Sequence, residues 1–122
     1  MAVHGTDAPE KLEVWKRGCR LAVDLYKAFE QCSDYGFKDQ ITRSGLSVPS
    51  NVAEGFERDS PREFCRFLKI AKGSCGELRT QLYIAAETGV LERDTTLSMI
   101  REPAEISRML RGIMRYYEAA ES

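Results

Sequence analysis

The chain has 122 residues, of which 43% are hydrophobic and 30% charged, and its formal net charge is -1. This length and balance predict one soluble domain, because there is too little chain to build two separate cores. The balanced charge excludes a strong overall attraction to nucleic acid or anionic lipid, so such binding would require a local patch.

The chain opens with a polar stretch, residues 1–9, which we expect to be a flexible tail before a single domain of residues 10–122. This stretch contains His4, the only histidine, and lacks the apolar segment of a secretory signal. The longest apolar run, residues 82–86, is far too short to span a bilayer. We therefore expect a cytoplasmic protein with no membrane contact.

The first predicted helix, residues 10–31, carries two apolar rows about 110° apart, since each helical residue turns the chain by about 100°. One row has the spacing of a bundle seam and is predicted to face the core: Leu12, Trp15, Cys19, Ala22, Tyr26 and Phe29. The other row exceeds what one bundle core needs: Val14, Gly18, Leu21, Leu25 and Ala28. We therefore expect the second row to be surplus apolar surface.

The second predicted helix, residues 37–58, also carries more apolar surface than one core face requires. Its core face is predicted to hold Phe37, Ile41, Gly45, Val48, Val52 and Gly55, and its extra row Leu46, Ala53 and Phe56. Pro49 lies inside this helix, removes one amide donor and crowds the Gly45 carbonyl, so we expect a bend there.

The third predicted helix, residues 61–88, has the clearest start signal. Ser60 and Glu63 form the pattern of a capping box, in which each side chain bonds the other residue's amide, and Pro61 takes the first helical position. Gly89 is suited to a left-handed cap at the end.

A fourth helix is predicted over residues 95–120. Pro103 would bend it, unless the helix begins at Pro103 and residues 95–102 form a separate turn.

Apolar residues recur at helical spacing, and no segment shows a sustained alternation of apolar and polar residues. This pattern predicts an all-α fold. The short connections predict an antiparallel up-down-up-down four-helix bundle. The surplus rows would expose more apolar area than a soluble monomer tolerates, so we expect burial against other copies in a homo-oligomer. The expected contact residues are Val14, Leu21, Leu25, Leu46 and Phe56. The alternative is that the broad faces belong to helices at the middle of one compact bundle.

A polar group is predicted between the second and third helices: Ser47, Asn51, Glu54, Ser74 and Glu77. The favoured interpretation is a structural network that satisfies backbone groups at the bend and fixes helix register. The alternative pairs Glu54 with Glu77 as general acid and base, but no nucleophile, metal ligand or phosphate loop accompanies them. We expect no catalytic, cofactor or metal site.

The four cysteines support the expectation that no metal is bound. Cys19, Cys32, Cys65 and Cys75 form no C-x-x-C pair, and the single histidine does not stand at zinc-finger spacing. In a reducing cytosol we expect four free thiols that pack as small hydrophobes.

The run over residues 40–55, which contains S-x-P-x-N-x-A-E-G at 47–55, resembles the four-helix-bundle family of 23S rRNA intervening-sequence proteins. Further matching segments are L-E-V-W-K at 12–16, S-P-R-E-F at 60–64, G-S at 73–74, E-L at 77–78 and T-Q-L at 80–82. The family name records where some of the genes lie and establishes no biochemical role.

The resemblance implies assembly into ring-shaped homopentamers. A related branch, the accessory variability protein of diversity-generating retroelements, is strongly basic and binds reverse transcriptase and nucleic acid, whereas this chain carries a net charge of -1.

Basic residues form one stripe on each of the last two helices: Arg62, Arg66, Lys69 and Lys72 on the third, and Arg101, Arg108, Arg111 and Arg115 on the fourth. The two stripes are predicted to form one outward patch, or else to be solvated faces opposite the core.

Two functions follow from these patterns. The preferred one is a non-enzymatic homo-oligomeric scaffold or adaptor that meets an unidentified protein partner. The alternative is a weak, sequence-independent RNA- or DNA-binding protein that uses the basic stripes.

Overall fold

The structure is a computed structural model that describes residues 12–121, so the predicted tail over residues 1–9 lies outside the described residues. The fold is all-α as predicted, and no strand occurs within 12–121. Four long helices and one short helix follow one another as α1 (Glu13–Ala28), α2 (Tyr35–Phe56), α3 (Pro61–Thr88), α4 (Arg93–Ser98) and α5 (Arg101–Glu121).

The long helices share one hydrophobic core. Helix α2 packs along both α1 and α3, and α5 packs on α3 and, less extensively, on α1. The side chains at the centre are completely buried: Leu25, Phe29, Ile41, Val48, Val52, Leu68, Leu78, Leu82, Ile106 and Leu110. Burial of this apolar set is the main stabilising contribution to the fold.

Helix α3 begins and ends where the sequence predicts, but of the predicted capping box the structure shows only the bond that Ser60 accepts. Ser60 Oγ accepts a hydrogen bond from the Glu63 amide at 3.1 Å, and Gly89 takes the left-handed conformation with φ 77°. The Glu63 carboxylate pairs with Arg66 at 3.2 Å. Helix α2 begins with a cap of the same kind, since Asp34 Oδ1 accepts from the Phe37 amide at 3.1 Å.

The predicted continuous fourth helix is wrong, because the chain breaks between α4 and α5. Glu92 caps α4 by accepting from the Asp94 and Thr95 amides at 2.9 and 2.8 Å. Pro103 stands in the first turn of α5, where its missing amide removes no intrahelical hydrogen bond. The chain therefore resembles the alternative in which the residues before Pro103 form a separate turn. The short helix α4 ends at Ser98, and α5 begins at Arg101, two residues before Pro103.

The two apolar rows of α1 do not divide between core and surface as we expected, because residues of both rows are buried. Val14, Leu21 and Leu25, from the row predicted as surplus, are at most 3% exposed and belong to the core. In the row predicted as the seam, Ala22 and Phe29 are buried as predicted, whereas Tyr26 is about half exposed and Trp15 is only partly buried.

Close contacts at glycines explain this orientation. A Cβ at Gly45 would lie 2.5 Å from Leu25 Cδ1, and one at Gly18 would lie 3.4 Å from the Pro49 ring. Because α2 approaches α1 at the row that contains Gly18, the neighbouring leucines of that row enter the core.

Helices α1 and α5 are joined by a two-point ion pair. Arg17 Nε and Nη2 donate to the two carboxylate oxygens of Glu102 at 2.8 and 2.7 Å, and Arg17 Nη1 lies 3.4 Å from Met109 Sδ. The hydrogen bond from Arg17 lowers the pKa of the Glu102 carboxyl, against a smaller opposing effect of burial. This pair links two helices that pack on each other less extensively than α2 packs on its neighbours.

We expect Gly55→Ala and Gly73→Ala to change stability in opposite directions. A Cβ at Gly55 would lie 2.8 Å from Phe67 Cβ and 3.1 Å from the Phe64 carbonyl oxygen, whereas one at Gly73 meets nothing within 4 Å. Gly55→Ala should therefore lower the free energy of unfolding by about 1–3 kcal/mol, and Gly73→Ala should raise it by about 1 kcal/mol through helix propensity. Urea denaturation measures both, and equal changes would contradict the close packing of α2 on α3.

We expect the Arg17–Glu102 pair to stabilise the fold only while Glu102 is ionised. Since its pKa is lowered in the folded chain, the contribution is complete above the unfolded-state pKa of about 4.3. It is then lost as the pH falls through the lower folded-state pKa. The Tm difference between the wild type and Glu102→Gln should be positive at pH 7 and shrink below about pH 4.5. A difference that stays constant with pH would rule out this role.

Candidate functional site

The polar group between α2 and α3 centres on two serines and an asparagine. Ser47 Oγ and Ser74 Oγ share a hydrogen bond of 2.7 Å across the two helices. Asn51 Nδ2 donates to both the carbonyl oxygen and the Oγ of Ser47, at 2.8 and 2.9 Å. Ser74 Oγ also lies 3.2 Å from the Ile70 carbonyl oxygen. Asn51 and Ser74 donate hydrogen bonds to backbone oxygens of their own helices, and the Ser47–Ser74 bond joins the two helices at one level.

The two carboxylates of the predicted group do not join these hydrogen bonds. Glu54 pairs with Arg58 at 2.7 Å, one turn further along α2, and Glu77 is exposed on α3. Gly55, next to Glu54, contacts Phe67, and Glu77 is ten residues beyond Phe67 on α3, or about 15 Å along the helix. The two carboxylates therefore share no buried site. The alternative of an acid–base pair is wrong.

A shallow cavity of about 390 Å³ lies beside this group, between α2 and α3. Its lining is polar and consists of Gln40, Arg43, Ser44, Ser47, Glu77 and Gln81. Gln81 Oε1 is buried and accepts no hydrogen bond from any described residue. Sequence reasoning did not single out Gln81, although it follows Ser74 by seven residues and so lies on the same face of α3. The open acceptor makes this cavity a place where an external donor would be stabilised.

The residues predicted to make the oligomer contact lie mostly in the core of the single chain. Val14, Leu21, Leu25 and Phe56 are at least 97% buried, so they are not accessible to another copy, and the prediction for these four is wrong. Leu46, the fifth, is 44% exposed.

A different apolar surface lies at the same pair of helices. Val23, Tyr26 and Leu46 are each about half exposed, and each directly follows a residue at the α1–α2 contact, namely Ala22, Leu25 and Gly45. We call Val23, Tyr26 and Leu46 the α1–α2 apolar face. The partly buried Trp15 and Cys19 continue it along α1, at helical spacing from Val23.

A second pair of exposed apolar side chains lies on the neighbouring flank. Ile70 and Ile84 are both more than 40% exposed on α3, one turn before Ser74 and nearly one turn after Gln81. Since Ser74 bonds Ser47, this side of α3 faces α2. We call Ile70, Ile84 and the polar cavity between them the α2–α3 flank.

The basic stripe of α3 divides between two sides of the helix. Arg66 stacks over the Phe67 ring at 4.5 Å, where Arg58 of α2 also stacks at 4.7 Å. Lys69, in contrast, lies 4.0 Å from Glu118 of α5. The single outward patch that the sequence predicted is therefore not one continuous surface.

The remaining predicted basic residues are Arg62, Lys72, Arg101, Arg108, Arg111 and Arg115, and all but the partly buried Lys72 are exposed. Arg108 pairs with Glu105 one turn before it on α5. Arg62 lines a cavity of about 490 Å³ with Arg66, Lys69 and Tyr117.

The described residues contain neither a metal-binding cluster nor a membrane-spanning helix. Within 12–121, no group of three or more His, Cys, Asp or Glu side chains is placed to hold a metal ion. No helix in that range is long and apolar enough to cross a bilayer. All four cysteines are free thiols, and burial raises the pKa of the Cys75 thiol to about 11.

Comparison with known proteins places the chain in a sequence family and finds similar solved structures. A sequence model of the family described as 23S rRNA-intervening sequence protein matches residues 10–112. The chain is similar to a solved structure from Bacteroides thetaiotaomicron, described as a protein with unknown function from the S23 ribosomal protein family. The two chains are 26% identical with a TM-score of 0.77, and the alignment covers 83% of this chain and 97% of that one. No curated protein matches the chain, and no enzymatic family is indicated.

We expect the Ser47–Ser74 hydrogen bond to couple α2 to α3. In a double-mutant cycle, Ser47→Ala and Ser74→Ala should each lower the free energy of unfolding by about 1 kcal/mol. The double variant should lose less than the two together, with a coupling of about 0.5–1 kcal/mol. Thr80→Ala is the control on α3, because Thr80 Oγ1 bonds only its own helix, at Gly76 O. Additive losses would show that the hydroxyls do not act as a pair.

Proposed function

The chain belongs to the 23S rRNA-intervening sequence protein family, and on this premise we propose that it is a non-enzymatic scaffold or adaptor that works as a homo-oligomeric ring. The observation that carries the proposal is the α1–α2 apolar face, which the fold of one chain leaves in water. Burial of this face against a second copy removes the cost of its exposure.

The subunit in this proposal is an antiparallel up-down-up-down four-helix bundle. The Ser47–Ser74 hydrogen bond and the contact of Gly55 with Phe67 support opposite directions for α2 and α3. The contact of Gly45 with Ala22 and Leu25, together with that of Gly18 with Pro49, supports the same relation for α1 and α2. The short connections between the helices agree with it.

A head-to-tail contact requires two different surfaces on each subunit, and the α1–α2 apolar face and the α2–α3 flank supply them. The first is apolar with a tyrosine hydroxyl, and the second combines two isoleucines with the open acceptor Gln81 Oε1. A ring of five subunits requires contact surfaces whose outward normals differ by about 108°, and adjacent flanks of a four-helix bundle, at about 90°, come close to that angle. A pentamer is the proposed form.

The non-enzymatic part of the proposal rests on the polar group between α2 and α3. Its hydrogen bonds join Ser47, Asn51 and Ser74 to each other and to backbone oxygens, as in a structural network. Glu54 is held in an ion pair with Arg58, about 15 Å along the helices from Glu77. Such an arrangement fixes helix register and positions no pair of groups for proton transfer.

We expect Leu46→Asp to reduce the size of the assembly without unfolding the subunit. The side chain is 44% exposed, so a carboxylate there is hydrated in the free subunit and becomes buried only in the contact. Tyr116→Asp, at an equally apolar but more exposed position on α5, is the control and should leave the size unchanged. Sedimentation equilibrium gives the mass, and circular dichroism confirms the helical fold.

A wild type that sediments at 13.8 kDa at micromolar concentration would contradict the ring, and so would a Leu46→Asp variant of full size. Leu21→Asp would be uninformative about the contact, because Leu21 is 3% exposed and the change would disrupt the core.

A further inference from the structure

A cavity of about 520 Å³ lies where the start of α1 meets the second half of α5, and we call it the α1–α5 cavity. It adjoins the Arg17–Glu102 pair, because Met109 lines the cavity and also contacts Arg17 Nη1 at 3.4 Å. Gly112 lines it as well, and a Cβ there would meet nothing within 4 Å. The space therefore exists in part because α5 carries no side chain at this position. Its volume lies within the range of small-molecule sites, about 300–1,000 Å³.

The walls of the α1–α5 cavity are aliphatic on one side and aromatic on the other. The aliphatic side is lined by Leu12, Val14, Met109 and Ile113. On the aromatic side, the Tyr117 ring lies 5.5 Å from Phe64 and 5.0 Å from Tyr116 between centroids. Tyr116 and Tyr117 stand at 88° to each other, as two walls of a corner do. Because the face of an aromatic ring is the negative part of its quadrupole, such walls attract a cation that is itself apolar.

The charge at the edge of the cavity is negative. Glu13 is exposed there, and no Lys or Arg of residues 12–121 belongs to the lining. Arg17, on the next turn of α1, donates to both carboxylate oxygens of Glu102 rather than to Glu13. That hydrogen bond is the main cause of the raised pKa of Arg17, to which Glu13 adds a smaller effect. Glu13 also offsets the positive end of the α1 dipole, since it stands in the first turn. The cavity therefore favours a cation over an anion.

We infer that the α1–α5 cavity binds a small organic cation, an amine or quaternary ammonium group on an aromatic or branched aliphatic body. The body packs on the aliphatic wall, and the charged group lies at the corner of Tyr116 and Tyr117, on the side of the Glu13 carboxylate. The inference goes beyond assembly, because no α2 residue lines this cavity and both surfaces of the proposed ring contact lie elsewhere.

The test compares three probes that share a phenol ring and differ in charge: 4-hydroxyphenyltrimethylammonium, 4-tert-butylphenol and 4-hydroxybenzenesulfonate. Each is titrated to about 3 mM against the full chain in about 50 mM salt, and binding is followed by saturation-transfer difference NMR. The cation should bind with a Kd of about 1 mM, as expected for a ligand of this size.

The order of the three affinities decides the chemistry of the site. The cation should bind about threefold or more tightly than 4-tert-butylphenol, which has the same shape without the charge. The sulfonate should bind more weakly than either. No saturable binding of the cation would overturn the inference, and so would equal or tighter binding of the neutral or the anionic probe.

A change of Gly112→Leu tests whether the cavity is the place of binding. The new side chain has space on α5 and should fill the cavity, so the affinity for the cation should fall about tenfold or more. Gly73→Leu is the matched control, because a Cβ on this glycine of α3 also meets nothing within 4 Å and the position lines no part of the cavity. Circular dichroism of both variants confirms the fold. Equal affinities in the two variants would overturn the cavity as the site.

Two further changes separate the carboxylate from the rings. Glu13→Gln should weaken binding of the cation about threefold and leave that of 4-tert-butylphenol unchanged, whereas Asp24→Asn, about three turns further along α1, should affect neither. Tyr116→Leu should weaken binding of the cation about threefold, and Tyr116→Phe should keep it. Equal losses of the cation and the neutral probe in Tyr116→Leu would show recognition of apolar area alone and would overturn the cation as the ligand.

Discussion

The close approach of α2 to its two neighbours is the constraint on which the other features of the structure depend. Gly45 and Gly55 leave no space for a side chain beside Leu25 and Phe67, so α2 lies against α1 on one side and α3 on the other. This contact decides which side chains of α1 enter the core. It therefore also decides which apolar side chains remain outside, and so where the chain has surface for a second copy.

The sequence was sufficient for the fold class and for those helix ends that have local causes. The capping serine and the left-handed glycine of α3 act on their own backbone, so their effect is readable without knowledge of the neighbours. The face of α1 was not readable in this way. Its two rows are similar in apolar content and about 110° apart. Which residues of the two rows are buried depends on the partner helix, through the contact of Gly18 with Pro49.

The same limit explains the candidate site. Ser47, Asn51 and Ser74 could be grouped from helical spacing, because their positions on each helix follow from the sequence. The orientation of the carboxylates depends on local competition for a partner. Glu54 has Arg58 one turn away on its own helix, and this ion pair forms without any contribution from α3. The open acceptor on Gln81 could not be predicted either, since it results from burial by neighbouring side chains.

The flanks of the chain differ in chemistry, and in the proposed assembly this difference decides which of them would be buried. The α1–α2 apolar face would gain from burial, whereas the exposed arginines of α5 would lose from it, because desolvation of unpaired cations is costly. The α1–α5 flank is closed in part by the Arg17–Glu102 pair, whose two hydrogen bonds hold helices that otherwise pack lightly. A contact through α2 would therefore bury Val23, Tyr26 and Leu46 and leave the exposed arginines of α5 on the outside of each subunit.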